Sequence, residues 1–182
     1  MTNLLGISGS LRAGSFNTKL VKECARVYAP ESFTLADIRL PLFDEDLEAQ
    51  GKPAEVEALV AQIRAADAVV ISTPEYNKNL PGGLKNALDW ISRFRPGPLV
   101  GKPLAIVSAA AGRAGGERAQ FSLRHCLTPF NPRILQNPEV MIAGAGGAFN
   151  EDGQLADPKA VEFLGVLMEA LKKEVALVKA AD

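Results

Sequence analysis

Leu4-Leu5-Gly6-Ile7-Ser8-Gly9-Ser10-Leu11-Arg12-Ala13-Gly14-Ser15-Phe16-Asn17 joins a short apolar run to a loop of hydroxyls, glycines and one arginine. The run Leu4 to Ile7 is bounded by turn residues, the pattern of a strand buried on both faces in a parallel sheet. Beyond the loop, Leu20, Val21, Cys24, Val27 and Tyr28 recur at helical spacing until Pro30. A strand that empties into such a loop, with a helix N-terminus behind it, gathers backbone N–H groups around a point where a phosphate can sit.

Working outward, Phe33 to Ile38 alternates weakly and reads as a second strand, and residues 39–52 are irregular, rich in proline and acid. Pro53 opens a helix bearing Val56, Leu59, Val60 and Ile63 that runs to about Ala66. Ala68 to Thr73 is the clearest strand, β-branched and apolar on both faces, and it empties into Pro74-Glu75-Tyr76-Asn77. Pro81-Gly82-Gly83 then opens a helix with Leu84, Ala87, Leu88 and Ile91 on one side, closed by Pro96-Gly97-Pro98. Pro103 to Ser108 repeats the buried-strand pattern, runs into Ala111 to Gly116, and precedes a helix from Glu117 to about Leu127. A last strand lies within 133–143, split around Asn137-Pro138, and 158–179 is a periodic final helix.

Five strands alternating with five helices predict a single α/β domain over residues 1–182. The expected form is a flavodoxin-like three-layer sandwich around a five-stranded parallel sheet of order 2-1-3-4-5. Such sheets bind ligands beyond the carboxyl ends of their strands, at the switch point beside strand one. The three loops of unusual composition follow strands one, three and four, so all leave carboxyl ends and predict one composite site.

Composition removes several classes of function. The 182 residues are 47% hydrophobic with a formal net charge of −1, so no global basic field recruits nucleic acid or an anionic membrane. No window approaches the roughly 18 apolar residues of a membrane span, and no charged segment and apolar run of a signal peptide opens the chain; a cytoplasmic protein is expected. Cys24 and Cys126 are far apart and read as apolar fillers on helices. With His125 the one histidine, a catalytic triad or a histidine-rich metal centre has nothing to build from, and no metal ligand is assigned.

The first loop lacks the Gly-Lys-Ser/Thr of a nucleotide triphosphate site and the G-x-G-x-x-G of a dinucleotide site. Ser8, Ser10, Ser15 and Asn17 instead supply donors suited to one terminal phosphate. Arg12 either adds charge there or is a solvated loop residue; Ser15 reads equally as a helix N-cap, which is compatible with phosphate binding. Thr73 to Asn77 offers rigid backbone, an aromatic face and polar edges of the kind the O2, N3 and O4 atoms of a flavin need, or is a plain turn with Tyr76 packed on a neighbour. Ser108 and the Gly112 to Gly116 loop would close the other side of the ring. The glycine-rich stretch Ala143 to Ala148 follows the last strand and reads as a flexible turn, and His125 as a helix-surface or interface residue. Arg93, Arg95, Arg113 and Arg118 lie near or after the site loops, each either solvated or placed to meet the extra phosphate of NADPH.

Taken together, Gly9-Ser10-Leu11-Arg12 with Ser15-Phe16-Asn17, then Pro74-Glu75-Tyr76-Asn77 with Pro81-Gly82 and Leu84-Lys85-Asn86-Ala87-Leu88-Asp89-Trp90, and finally Gly115-Gly116 with Arg118-Ala119-Gln120, resemble the NADPH-dependent FMN reductase family over nearly the whole chain. That family includes soluble quinone, chromate and azo-dye reductases. The resemblance implies FMN held through its phosphate by Ser8, Gly9, Ser10, Leu11, Arg12, Ser15, Phe16 and Asn17, around its ring by Pro74, Glu75, Tyr76 and Asn77, and on the far side by Ser108, Ala109, Gly112 and Gly115. It also implies a homodimer or dimer of dimers with the site near a subunit interface, to which Trp90, Ile91 and Phe94 would contribute. One departure stands at Lys78-Asn79-Leu80, where family members often carry a serine. The expected activity is hydride transfer from NADPH or NADH to flavin N5 and on to a quinone-type, chromate, azo or ferric acceptor in a ping-pong cycle. Flavin carries that chemistry, so no catalytic side chain is assigned. The rivals are a flavodoxin-type electron carrier without turnover and a flavin-free regulator on the same fold.

Overall fold

The computed structural model describes residues 2–181. Strands β1 (Asn3–Ser8), β2 (Ser32–Ala36), β3 (Ala68–Thr73) and β4 (Pro103–Ala109) run parallel and are followed by β5 (Arg133–Ile134) and β6 (Val140–Ile142). The order across the sheet is β2-β1-β3-β4-β5, with β6 also paired to β4, which is the flavodoxin-like arrangement expected from the sequence. The last position is interrupted. The chain advances from Ile134 to Val140 while β4 advances only from Leu104 to Val107, so the excess residues around Asn137-Pro138 loop out. Proline lacks the N–H that a continuous ladder would need there.

Helices α1 (Phe16–Tyr28), α2 (Glu45–Ala49), α3 (Ala54–Ala65), α4 (Gly82–Ile91), α5 (Glu117–Leu127) and α6 (Pro158–Ala181) make one more helix than the sequence pattern predicts. The addition is α2, inside the irregular stretch. Asp44 caps it by accepting from the Asp46 N–H at 2.8 Å, and Glu45, Asp46 and Glu48 place negative charge at its N-terminus. None of its residues is buried, so it carries no apolar period to read. β2 also stops before Asp37, although Ile38 beyond it is still buried.

Side chains alternate across the central strands, as a two-faced sheet requires. Leu4, Val70, Ala105 and Val107 pack with Leu20, Cys24 and Tyr28 of α1 and with Leu164, Leu167 and Leu171 of α6. Leu5, Ile7, Val69, Ile71 and Ile106 pack on the other face with Leu59 and Ile63 of α3, Leu84 and Leu88 of α4, and Leu123 of α5. Cys24 is wholly buried, and that burial pushes its thiol up, away from the reactive thiolate.

Trp90 and Ile91, expected at a subunit contact, are instead buried within the chain at 0% and 1% exposure; Ile91 lies in this second core, and Phe94 packs against it. Trp90 Nε1 donates to the Pro41 carbonyl at 2.9 Å and its ring meets Phe43 edge-on at 5.0 Å. Asn86, one turn earlier, donates to the same carbonyl at 2.9 Å and accepts from the Phe43 N–H at 2.8 Å. These side chains of α4 hold the 41–43 segment and leave Trp90 and Ile91 no surface for a partner.

At the opposite end of the sheet from the site loops, Asp67 accepts from the Asn3 N–H at 2.6 Å and from Lys179 Nζ at 2.8 Å. Burial by itself raises this carboxyl, but the bonds from Lys179 and Asn3 outweigh it and hold the group below its ordinary value. A carboxyl lowered in the folded state stabilises above its unfolded pKa and loses that contribution as pH falls through the folded value. The melting temperature of wild type should therefore exceed that of Asp67→Asn near pH 7, with the gap closing below about pH 4.

Candidate functional site

The register brings the loops together. Ser8 lies beside Ser72, and Thr73 lies beside Ser108, so the chain leaves β1, β3 and β4 at one edge of the sheet. The loop after β1 turns through an Arg12 carbonyl to Ser15 N–H bond of 3.1 Å into α1. Ser15 is the N-cap: its Oγ accepts from the Thr18 N–H at 3.2 Å. Among the described residues, the backbone N–H groups of Leu11, Arg12, Ala13, Gly14, Phe16 and Asn17 have no protein partner. Unpaired donors at the positive end of a thirteen-residue helix are the setting in which an anion is held.

The hydroxyls of this loop divide. Ser8 Oγ accepts from Thr18 Oγ1 at 2.9 Å and donates to the Ser10 carbonyl at 3.3 Å, so it braces the loop against α1. Ser10 is buried and its hydroxyl has no partner among the described residues. Arg12 and Leu11 are exposed; the Arg12 guanidinium lies 5.0 Å from the centroid of the Phe16 ring. Asn17 turns its side chain inward, onto Ser72 and Ala109. Gly9 sits in the turn itself, its N–H donating to the Ser72 carbonyl at 2.8 Å.

On the neighbouring loop, Pro74 is buried and Glu75 accepts from the Arg118 backbone N–H at 3.2 Å and lies 3.4 Å from its Nη1. Tyr76 and Asn79 exchange backbone hydrogen bonds of 3.0 and 3.1 Å around Asn77 and Lys78, whose φ values of 51° and 66° make the reversal tight. That turn sets Tyr76 half exposed at the rim. The departure at Lys78-Asn79 has its own use here: Asn79 Oδ1 accepts from the Leu80 N–H at 2.7 Å and from Ser122 Oγ, tying the turn to α5.

The loop after β4 is fixed from beneath. Gly115 and Gly116 have φ values of 60° and 98°, and a Cβ on Gly116 would come within 2.9 Å of Ser108 Cβ. Ser108 Oγ donates to the Gly115 carbonyl at 2.7 Å, and Gln120 Nε2 donates both to Ser108 Oγ and to the Val140 carbonyl, each at 2.9 Å. Ser108 thus spends its hydroxyl on the protein, and the support it shares with Gln120 is invisible in a strand-and-loop reading. The one sign was a glutamine on the inward face of an amphipathic helix. The 143–148 stretch, expected as a flexible turn, forms one 3-10 turn whose Ala145 is wholly buried and donates to the Ala110 carbonyl at 3.1 Å.

Glu75 and residues 110–118 line a cleft of about 490 Å³. Of the four arginines expected near the site, Arg113 and Arg118 line it. Arg118 is engaged by Glu75, whereas Arg113 is exposed with no partner among the described residues. Arg93 is held by Glu48 at 2.8 Å, and Arg95 donates to the Ser92 and Phe94 carbonyls. His125 is on the exposed side of α5. A cradle of open N–H groups beside a cleft of ring-binding size fits a phosphate monoester that carries a planar ring.

Residues 2–147 match the family described as NADPH-dependent FMN reductase. The chain belongs to that family. It is 48% identical over 171 residues to an NAD(P)H-dependent FMN reductase of Pseudomonas aeruginosa, covering 93% of this chain and 92% of the relative. It is 47% identical over 140 residues to a quinone reductase of Escherichia coli, covering 73% of each. Among solved structures, the NAD(P)H:(acceptor) oxidoreductase FerB of Paracoccus denitrificans superposes with a TM-score of 0.88 at 32% identity, over 97% of this chain and 98% of that one. As an FMN reductase family member the chain is an NAD(P)H-dependent reductase enzyme, and the family implies FMN and NAD(P)H as its cofactors. Among the described residues no helix is long and apolar enough to cross a membrane.

Proposed function

We propose that the chain holds one FMN across the three loops and uses it to reduce quinone-type small molecules with NAD(P)H. The observation that carries this reading is the open N–H cradle at the start of α1 set beside the cleft lined by Glu75 and residues 110–118. When bound, FMN would supply the hydride-transfer chemistry between NAD(P)H and the acceptor.

The chain's own residues bind and orient. The Ser10 and Ser15 hydroxyls and the N–H groups of residues 11–14, 16 and 17 would hold the phosphate, favoured by the α1 dipole. Pro74, Glu75, Tyr76 and Asn77 would border the ring on one side, with Glu75 kept in place by Arg118. Ala109, Gly112 and Gly115 would border the other. Arg113 offers free positive charge at the cleft for a phosphate of the nicotinamide donor. The half-exposed Tyr76 leaves an open rim, which suits acceptors of varied shape, including azo, chromate and ferric compounds. The names of the two relatives, FMN reductase and quinone reductase, support the same reading. A homodimer or dimer of dimers in the cytoplasm completes the proposal.

Purified protein should be yellow or take up FMN. Anaerobic NADPH or NADH should then bleach the flavin absorbance, a quinone should restore it, and initial rates at several acceptor concentrations should give parallel double-reciprocal lines. Bound flavin that NAD(P)H fails to bleach would mark an electron carrier, and a chain that takes up no FMN would refute the reading altogether.

A further inference from the structure

We infer that Asn17 is a positioning residue that sets the separation between the phosphate loop and the two ring-flanking loops; the inference rests on the FMN reading above. Asn17 is the second residue of α1 and is 3% exposed. Its amide meets the backbone of Ala109 in both directions: Nδ2 donates to the Ala109 carbonyl at 2.9 Å, and Oδ1 accepts from the Ala109 N–H at 3.0 Å. Ser72 Oγ donates to the same Oδ1 at 2.7 Å. One side chain therefore bolts the first turn of the phosphate helix to the ends of β3 and β4, just before the chain departs into the Pro74 and Gly112 loops.

The chemistry of the amide suits this task. Oδ1 receives two protein donors, and only a group with both an acceptor and a donor can pair with the N–H and the carbonyl of one residue at once. Aspartate would keep the two accepted bonds and set an oxygen against the Ala109 carbonyl. Any contribution of Asn17 to the phosphate then comes from its backbone N–H, which has no protein partner among the described residues. Ser72 is wholly buried, and its hydroxyl serves Asn17.

A rigid tie of this kind acts on ligands that occupy both subsites. FMN fills the phosphate cradle and the ring cleft together, so it gains from a fixed separation, as two linked binding events gain from a high effective concentration. Riboflavin fills only the ring cleft and inorganic phosphate only the cradle, and neither gains.

The test measures affinity for FMN, riboflavin and inorganic phosphate by titration calorimetry in wild type, Asn17→Ala and Ser72→Ala. Loss of buried hydrogen bonds at the tie should weaken FMN about tenfold to a hundredfold in N17A and a few-fold in S72A. Riboflavin and phosphate should each change less than about twofold, because each needs one subsite alone. If N17A weakens phosphate as much as FMN while S72A changes nothing, the side chain is a phosphate ligand and the inference is overturned. It is equally overturned if riboflavin falls in step with FMN, which marks collapse of the ring cleft, or if FMN binding is unchanged. A wild type that binds no FMN refutes the proposed function instead; the tie is then judged by amide hydrogen exchange at Ala109, which N17A should accelerate about tenfold or more, and an unchanged rate overturns it.

Discussion

Gly115→Ala is expected to abolish FMN retention on purification and to weaken added FMN by about a hundredfold or more, the sum of a backbone penalty and an overpacking penalty. Gly115 has φ of 60°, where a side chain costs about 1–2 kcal/mol. Its added Cβ would also stand 2.8 Å from the Met141 carbonyl carbon and 2.9 Å from Met141 Cβ. Met141 is on β6, held to β4 through the Ser108–Met141 register, so the obstacle is backbone and cannot rotate away. The loop must lift instead. Lifting it breaks the Ser108 bond to the Gly115 carbonyl and with it the support that Gln120 provides. The control is Gly112→Ala in the same loop, where a Cβ meets no atom within 4 Å and φ is not positive. Flavin content and fluorescence titration should separate the two variants clearly; equal FMN affinity in both would show that this loop does not border the ring.

Trp90→Ala is expected to lower folding stability by about 3–5 kcal/mol, the range for truncating a buried aromatic. Two losses add. The indole is wholly buried, and it meets the Phe43 ring edge-on. Its Nε1 is one of two donors on the Pro41 carbonyl, so the truncation also leaves that end of the segment held by Asn86 alone. Urea denaturation should show a lower midpoint with an unchanged slope. The oligomeric state measured at a temperature where the variant is folded should match wild type, since Trp90 has no surface to give a partner. Dissociation without loss of stability would restore Trp90 to an interface.

Much of the site was legible in the chain because its signals are local. Ser15 as N-cap follows from a hydroxyl standing before a helical period, and the structure has that bond. The split of the last strand follows from Asn137-Pro138, since proline removes a ladder donor. α2 was hidden for the opposite reason: nothing in it is buried, and only its acidic start and Asp44 cap marked it.

What the fold decided beyond the sequence is where polar and aromatic side chains point. Trp90 and Ile91 read as available for a partner because the family resemblance implies a dimer and their helix ends beside the site, but the fold buries both, Trp90 against residues 41–43 and Ile91 in the core. Arg93 and Arg95 stand close in sequence to the site loops yet are claimed by Glu48 and by carbonyls of their own turn. Ser108 and Asn17 read as ligand donors, and their side chains are spent on the protein.

The strand and helix alternation, the parallel sheet order, and the gathering of three loops of unusual composition at one edge were determined by the sequence itself. Those properties depend on periodicity, turn chemistry and the handedness of crossovers, all of which act within a few residues or follow from topology. Which backbone donors remain unpaired, which arginines line the cleft, and which amide ties the loops together were decided only by the tertiary structure. A hydrogen-bonding group has a small number of bonds to make, and whether residues distant in the chain, such as Ala109 for Asn17, already make them is a matter of packing.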